Sequence, residues 1–152
     1  MTPDRQRSRV YQWEDREVAP RDLTLLSFGI LQPMVDAIWL ELELEYPPKV
    51  ERLPPRFSRR IADASRLCIR VAAEIPSWVL LHELAHVLSS TADGKTDGHG
   101  AVFMGLYAQL LARYLRWPPA ELLASMEKAQ LGYERTARPL FVDPSQKWDL
   151  AL

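Results

Sequence analysis

Apolar positions recur at helical spacing in four segments of the chain. The first predicts a helix over 28–46, where apolar side chains follow each other at steps of three and four residues: Phe28, Leu31, Val35, Ile38, Leu42 and Tyr46. Pro33 must occupy the first turn of this helix or kink it, and a proline pair ends it. Residues 77–90 predict an amphipathic helix that starts after Pro76. Residues 101–117 are apolar nearly all round, which predicts a central core helix, and 119–131 predicts a further helix.

Alternation of apolar and polar side chains predicts short strands at 9–14, 49–53 and 65–71. Arg66 and Arg70 lie in the last of these. Together with Arg59 and Arg60 they either line a substrate groove or point into solvent from a strand face.

The remaining segments set the domain organisation that we expect. Residues 1–8 are charged and predict a disordered lead, 9–131 predict one folded domain, and 132–152 predict a tail that packs on it. The tail has no regular periodicity. It folds over the cleft, straps the core or docks on a partner, and the sequence does not distinguish these.

Composition narrows the class of protein. Of the 152 residues 47% are hydrophobic and 26% charged, which is typical of a soluble globular protein. The net charge of −1 argues against strongly electrostatic nucleic-acid binding. Cys68 is the single cysteine and lies in an apolar run, so we expect a small buried hydrophobe in a reducing, cytoplasmic protein. Residues 1–9 are charged and no apolar region follows them, so we expect no secretory signal, and no apolar run is long enough to predict a membrane span.

The chemistry concentrates in one stretch, because all three histidines lie between residues 82 and 99. His82-Glu83-Leu84-Ala85-His86 puts two imidazoles four residues apart on one helix face, where both can bind one metal ion. Glu83 lies beside that face and can reach a water on the metal without being a ligand. This pattern predicts a hydrolase with a zinc-activated water and Glu83 as its general base.

A third ligand is needed, and His99 is the leading candidate. The predicted core helix that follows His99 contains no Asp or Glu that could be the third ligand instead. Gly98 and Gly100 flank His99. Glu74, Asp93 and Asp97 remain weaker candidates for this ligand, and Asp93 and Asp97 also suit a solvated turn.

Supporting roles can also be assigned from the sequence. Asp97 could cap the core helix or accept a hydrogen bond from a ligand imidazole. A hydrolase also needs a donor for the oxyanion, and Tyr107, Tyr133 and an arginine are candidates. Tyr107 equally suits a core aromatic.

These residues resemble a known family. His82-Glu83-x-x-His86, a twelve-residue loop and His99-Gly100-x-x-Phe103 are similar to the core signature of SprT-like (Spartan-type) zinc metallopeptidases. The resemblance covers about residues 25–117 and is specific over 78–103. It implies one zinc ion bound by His82, His86 and His99, catalysis by Glu83, and Phe103 packed beneath the site. The chain also resembles small uncharacterised bacterial metallohydrolases.

The resemblance does not extend to every feature of the family. With one cysteine, this sequence has no four-cysteine zinc ribbon of the kind that many SprT-like proteins carry. By analogy with zincins, the class of HExxH proteins, we expect an edge strand at 65–73 to pair with an extended peptide substrate.

The sequence therefore predicts an α+β fold: one zincin-like domain with a small sheet packed against helices and an HExxH active-site helix. The predicted function is a zinc metallopeptidase that acts on a peptide or protein substrate. Two alternatives stay open, a DNA-associated protease of the SprT type and a non-catalytic zinc-binding interaction domain.

Overall fold

The computed structural model describes residues 4–54 and 61–152. Within these ranges the chain has an α+β fold, as predicted, with five α-helices and five short strands. The helices are α1 (Arg7–Trp13), α2 (Phe28–Glu41), α3 (Ser77–Leu88), α4 (Ala101–Tyr114) and α5 (Pro119–Lys128). The strands are β1 (Leu25–Ser27), β2 (Lys49–Arg52), β3 (Ala62–Ala64), β4 (Cys68–Val71) and β5 (Glu74–Pro76).

The strands form two small sheets. In the larger one β4 lies in the middle, parallel to β2 and antiparallel to β3. The smaller one pairs β1 with β5, which leads directly into α3. The expected substrate strand at 65–73 is therefore wrong, because its regular part, β4, has neighbours on both sides. Among the described strands its two neighbours, β2 and β3, are the edge strands, and the sequence did not predict β3.

The core forms where α3 packs against α4. Apart from its first two residues and the half-buried His86, α3 is buried all round, as is α4 from Phe103 to Leu111. Gly105 lets the C-terminal segment lie directly on α4, because a Cβ there would come within 1.9 Å of the Glu134 carbonyl oxygen. No helix in the described ranges has the length and apolar character needed to cross a membrane.

Three of the predicted helices end earlier than their apolar spacing indicates. After α2, Glu43 takes a left-handed conformation (φ 57°), and the Leu44 amide bonds to the Trp39 carbonyl. This is a Schellman-type helix end, usually made by glycine. Arg116 and Gln130 take similar conformations after α4 and α5.

The N-terminal segment differs most from expectation. Residues 9–14 belong to a helix rather than a strand: α1 covers Arg7–Trp13 and continues into a π-helical turn, Glu14–Val18. Val10, Trp13 and Val18 are buried, and their spacing is that of a helix. Over the few residues of 9–14 the side chains also alternate, which indicated a strand instead. Residues 4–8 are also part of this ordered segment and do not form the expected disordered lead.

The C-terminal segment, 132–152, packs on α3 and α4. Gln109 of α4 is buried and donates to the Arg135 and Ala137 carbonyls, while the Trp148 indole donates to its side-chain oxygen. The Leu140 amide bonds to the carbonyl of Leu88 at the end of α3. Among the described residues, none of this segment lines the cavity of the candidate site.

Arg66, Arg70 and Cys68, which the sequence places near the sheet, each have contacts within the protein. Arg66 is buried, lies against the Trp39 and Phe141 rings and donates to the Glu45 and Tyr46 carbonyls. Arg70 forms an ion pair with Asp63. Burial and the nearby Glu51 raise the pKa of Cys68, which keeps its half-buried thiol protonated. Arg59 and Arg60 lie outside the described residues.

Candidate metal centre

Helix α3 brings the HExxH residues to one face, as its four-residue spacing predicts. The ring centroids of His82 and His86 lie 4.9 Å apart. His99 comes from the turn before α4, and its ring lies 5.4 Å from that of His82 and 4.6 Å from that of His86. The structure thus brings together the three histidines that were expected to act as one group.

The three imidazoles are close enough to bind a metal ion. One nitrogen from each lies within 4.8 Å of the other two, and the Nε2 atoms of His86 and His99 are 3.2 Å apart. Zinc–nitrogen bonds of about 2.0–2.1 Å in a tetrahedral site place two ligand nitrogens about 3.3 Å apart. The donor set and its spacing therefore fit such an ion.

Glu14 orients His82 through a hydrogen bond to Nδ1 of its ring. Its carboxylate is buried and accepts hydrogen bonds from His82 Nδ1 (2.5 Å) and from the Tyr107 hydroxyl (2.7 Å). With Nδ1 in that bond, Nε2 of His82 is left to face the other imidazoles. A carboxylate in this position fixes the tautomer of a metal-binding histidine and makes it a stronger ligand.

Asp4 does the same for His99. Its carboxylate accepts from His99 Nδ1 (2.6 Å) and from the His99 amide (3.2 Å). Gly98 makes room for this contact, since its φ is +65° and a Cβ there would lie 2.8 Å from the Asp4 carboxylate. Gln6 fastens the same segment by donating to the carbonyls of His99 and Gly132.

The electrostatic surroundings make two of the imidazoles ready to bind a cation. Burial lowers the pKa of His86 well below its usual value and, despite the hydrogen bond that His99 donates to Asp4, lowers that of His99 too. Burial also disfavours the charged form of His82, but the hydrogen bond and charge of Glu14 outweigh it and raise its pKa. A proton would therefore compete with a metal ion more strongly at His82 than at the other two imidazoles.

Asp97 does not contact a ligand imidazole. Its side chain accepts from the Val102 amide (2.8 Å) and more distantly from the Phe103 amide, which caps the first turn of α4. Gly100 makes room for this cap, because a Cβ there would lie 2.5 Å from the Asp97 carboxylate. The cap fixes the start of α4 and hence the position of His99.

Phe103 and Tyr107 form the packed base of the site. Phe103 stacks on His86 with ring centroids 4.4 Å apart and is fully buried, as the resemblance implied. Tyr107 is fully buried as well, and its hydroxyl is engaged with Glu14. Burial and the Glu14 charge raise its pKa well above 10. Tyr107 therefore supports His82 through Glu14 and does not face the space where an oxyanion would form.

The other expected ligands lie elsewhere. Glu74 is exposed on β5, and Asp93 is exposed in a turn where it bonds to the Thr91 hydroxyl. Neither belongs to the group of side chains around His86.

An open cavity of about 660 Å³ lies in front of the three imidazoles. Its base is α3, including Trp78 and Glu83, one wall is the edge strand β3, and the other is the N-terminal helix. The N-terminal wall carries a stripe of side chains at helical spacing: Asp4, Arg7, Tyr11, Glu14 and Asp15. Glu83 Oε1 lies 4.0 Å from His82 Nε2, beside the imidazoles rather than among them.

Sequence reasoning missed Asp4, Tyr11 and Glu14. The signal was present, because these residues recur at steps of seven and three, but it was hidden once residues 9–14 were interpreted as a strand.

Comparison with known proteins adds no relative. A scan against protein-family models, a search of curated proteins and a search of solved structures each find no match for the chain.

The two carboxylates behind the imidazoles generate a prediction about metal affinity. Replacing Glu14 by Gln or Asp4 by Asn removes the charge that orients and polarises one ligand, so we expect zinc affinity to fall about 10–100-fold for each. Competition with a chelating dye measures this. Asp15→Asn is the matched control, since Asp15 lines the same cavity and is exposed. Equal losses in all three variants would show a general charge effect and contradict the assignment.

Proposed function

We propose that this protein is a zinc-dependent hydrolase, and specifically a metallopeptidase. The observation that carries the proposal is the joint geometry of His82, His86 and His99, with Glu83 beside them, at an open cavity. Three histidines with a purely structural role would not need to converge at an open cavity. Two of them would not need a carboxylate hydrogen-bonded to the imidazole.

Zinc is the metal that suits this donor set best. Three neutral imidazoles with one position left for water are the usual ligands of catalytic zinc. Bound there, zinc would act as a Lewis acid that lowers the pKa of water from about 15.7 to about 7.

Glu83 would carry the proton during hydrolysis. Its carboxylate takes a proton from water as the water oxygen bonds to the carbonyl carbon of the substrate. The same proton then passes to the amide nitrogen as the carbon–nitrogen bond breaks, which leaves a carboxylic acid and an amine. Because water is the nucleophile, no acyl-enzyme forms.

The edge strand β3 supports a peptide as substrate. Asp63 pairs with Arg70 of β4, and the Ser65 amide donates to the Cys68 carbonyl. In an antiparallel ladder the hydrogen-bonded positions alternate, so the backbone groups of Ala62 and Ala64 point away from β4. They face the open edge that lines the cavity. An extended peptide can add to such an edge through main-chain hydrogen bonds.

The charges around the cavity favour a general peptidase over a DNA-associated one. Acidic side chains outnumber basic ones among the described cavity residues, with Arg7 opposed by several carboxylates: Asp4, Glu14, Asp15, Asp63 and Glu83. With a net charge of −1, the chain offers little to a phosphate backbone. The resemblance to SprT-like metallopeptidases over 78–103 supports the hydrolytic chemistry. It also suggests the DNA-associated alternative, which these charges do not favour.

A cleavage assay on a proteome-derived peptide library tests the proposal. We expect zinc-loaded wild type and the control Glu74→Gln to cut peptides, and zinc-loaded Glu83→Gln to lose about 10²–10⁴-fold in rate, the usual contribution of a general base. All three should bind zinc equally. Equal zinc binding with no cleavage by any of them would contradict the peptidase and favour a non-catalytic zinc-binding domain.

Backbone-modified substrates test the role of β3. If the peptide adds to this edge, N-methylation should block cleavage at alternate substrate positions and be tolerated at those between, because only every second amide faces the strand. The measurement is kcat/KM for a series of singly N-methylated versions of one library substrate. Uniform tolerance along the peptide would mean that it does not bind as a strand.

A further inference from the structure

Hydrolysis of an amide needs a donor for the negative charge that develops on the carbonyl oxygen. The tyrosines expected to supply it are engaged elsewhere. The Tyr107 hydroxyl is buried and bonded to Glu14, and the Tyr133 hydroxyl donates to Glu127 (2.6 Å) away from the cavity. Besides the zinc itself, the donor would therefore have to be another side chain that lines the cavity.

Tyr11 lies where this donor is needed. Its ring is 5.3 Å from that of His99 and 6.2 Å from that of His82, centroid to centroid, so it packs against two of the three imidazoles. It lines the cavity and remains 41% exposed. Within the described ranges, its hydroxyl makes no hydrogen bond. A phenol that lines the cavity, packs its ring on two imidazoles and has no hydrogen bond to the described residues is suited to bind substrate.

Its position is fixed from both ends of α1. Asp4 and Glu14 hold the segment to His99 and His82, one on either side of Tyr11 in sequence. The Arg7 guanidinium lies 5.7 Å from the Tyr11 ring centroid, one helical turn away. The phenol is thus preorganised by the same contacts that orient the imidazoles, which is what electrostatic stabilisation of a transition state requires.

We propose that the Tyr11 hydroxyl donates a hydrogen bond to the scissile carbonyl oxygen and stabilises the oxyanion that forms when water adds. The proposal rests on the proposed peptidase function and names a further catalytic residue for it. Arg7 and Trp78 are the other side-chain donors among the described cavity residues apart from the imidazoles. Neither has a ring contact with an imidazole in the structure, so we assign the role to Tyr11.

Kinetics of the zinc-loaded full chain test this assignment. Tyr11→Phe keeps the ring and removes the hydroxyl, so we expect kcat on a library substrate to fall about 100-fold, the usual loss for one oxyanion donor, with KM unchanged. Tyr133→Phe is the matched control and should equal wild type. Zinc affinity, measured by dye competition, should be the same in all three proteins.

Binding of methylphosphonate gives a readout without turnover. This tetrahedral anion carries oxygens in place of those of the hydrated carbonyl, and calorimetry measures its Kd for the zinc-loaded proteins. We expect Tyr11→Phe to bind it about tenfold or more weakly than wild type and Tyr133→Phe, the usual effect of one lost hydrogen bond to an anion.

The outcomes separate the two proposals. If wild type cuts no peptide, the peptidase fails, and the methylphosphonate comparison alone decides the assignment of Tyr11. Unchanged kcat and unchanged Kd in Tyr11→Phe would overturn the assignment. So would a loss of zinc affinity equal to the loss of kcat, a 100-fold loss found instead in Arg7→Gln or Trp78→Phe, or no methylphosphonate binding by wild type.

Discussion

The buried carboxylate of Glu14 is the interaction on which the rest of the site depends. A carboxylate removed from water is costly unless it is hydrogen-bonded, and here donors from two other helices satisfy it: His82 Nδ1 of α3 and the Tyr107 hydroxyl of α4. Glu14 begins the π-helical turn after α1, an irregularity often found at functional sites. One group therefore joins three helices, fixes the tautomer of a metal ligand and places the N-terminal wall of the cavity.

The cavity can be understood from that constraint. Once α1 is docked through Glu14, Asp4 reaches His99 and Tyr11 lies against both imidazoles. The opposite wall is β3, on the far side of the three imidazoles. In the proposed function, an extended substrate would bind between β3 and the N-terminal helix. Substrate binding and metal binding would then be coupled through residues 4–14, because this segment both lines the cavity and contacts His82 and His99.

The three imidazoles of the candidate metal centre could be predicted from the sequence, whereas the carboxylates that orient them could not. HExxH is local: a four-residue step on a helix fixes the relation of His82 to His86 whatever the rest of the fold does. His99 was found because the chain has no other histidine. Glu14 and Asp4 act across 68 and 95 residues of sequence. Their helical spacing is a local signal, but it does not show which distant side chains they contact. Helix ends at Glu43, Arg116 and Gln130 were missed for a related reason: left-handed residues other than glycine leave no signature in a single sequence.

X-ray absorption at the zinc edge tests the central claim most directly, because it counts the ligands of the bound ion. For zinc-loaded wild type we predict three imidazole nitrogens at about 2.0–2.1 Å with one further light atom, and two imidazoles after His99→Ala. A spectrum with a sulfur ligand, or one with two imidazoles in wild type that is unchanged in His99→Ala, would contradict the account of a three-histidine centre held by the N-terminal helix.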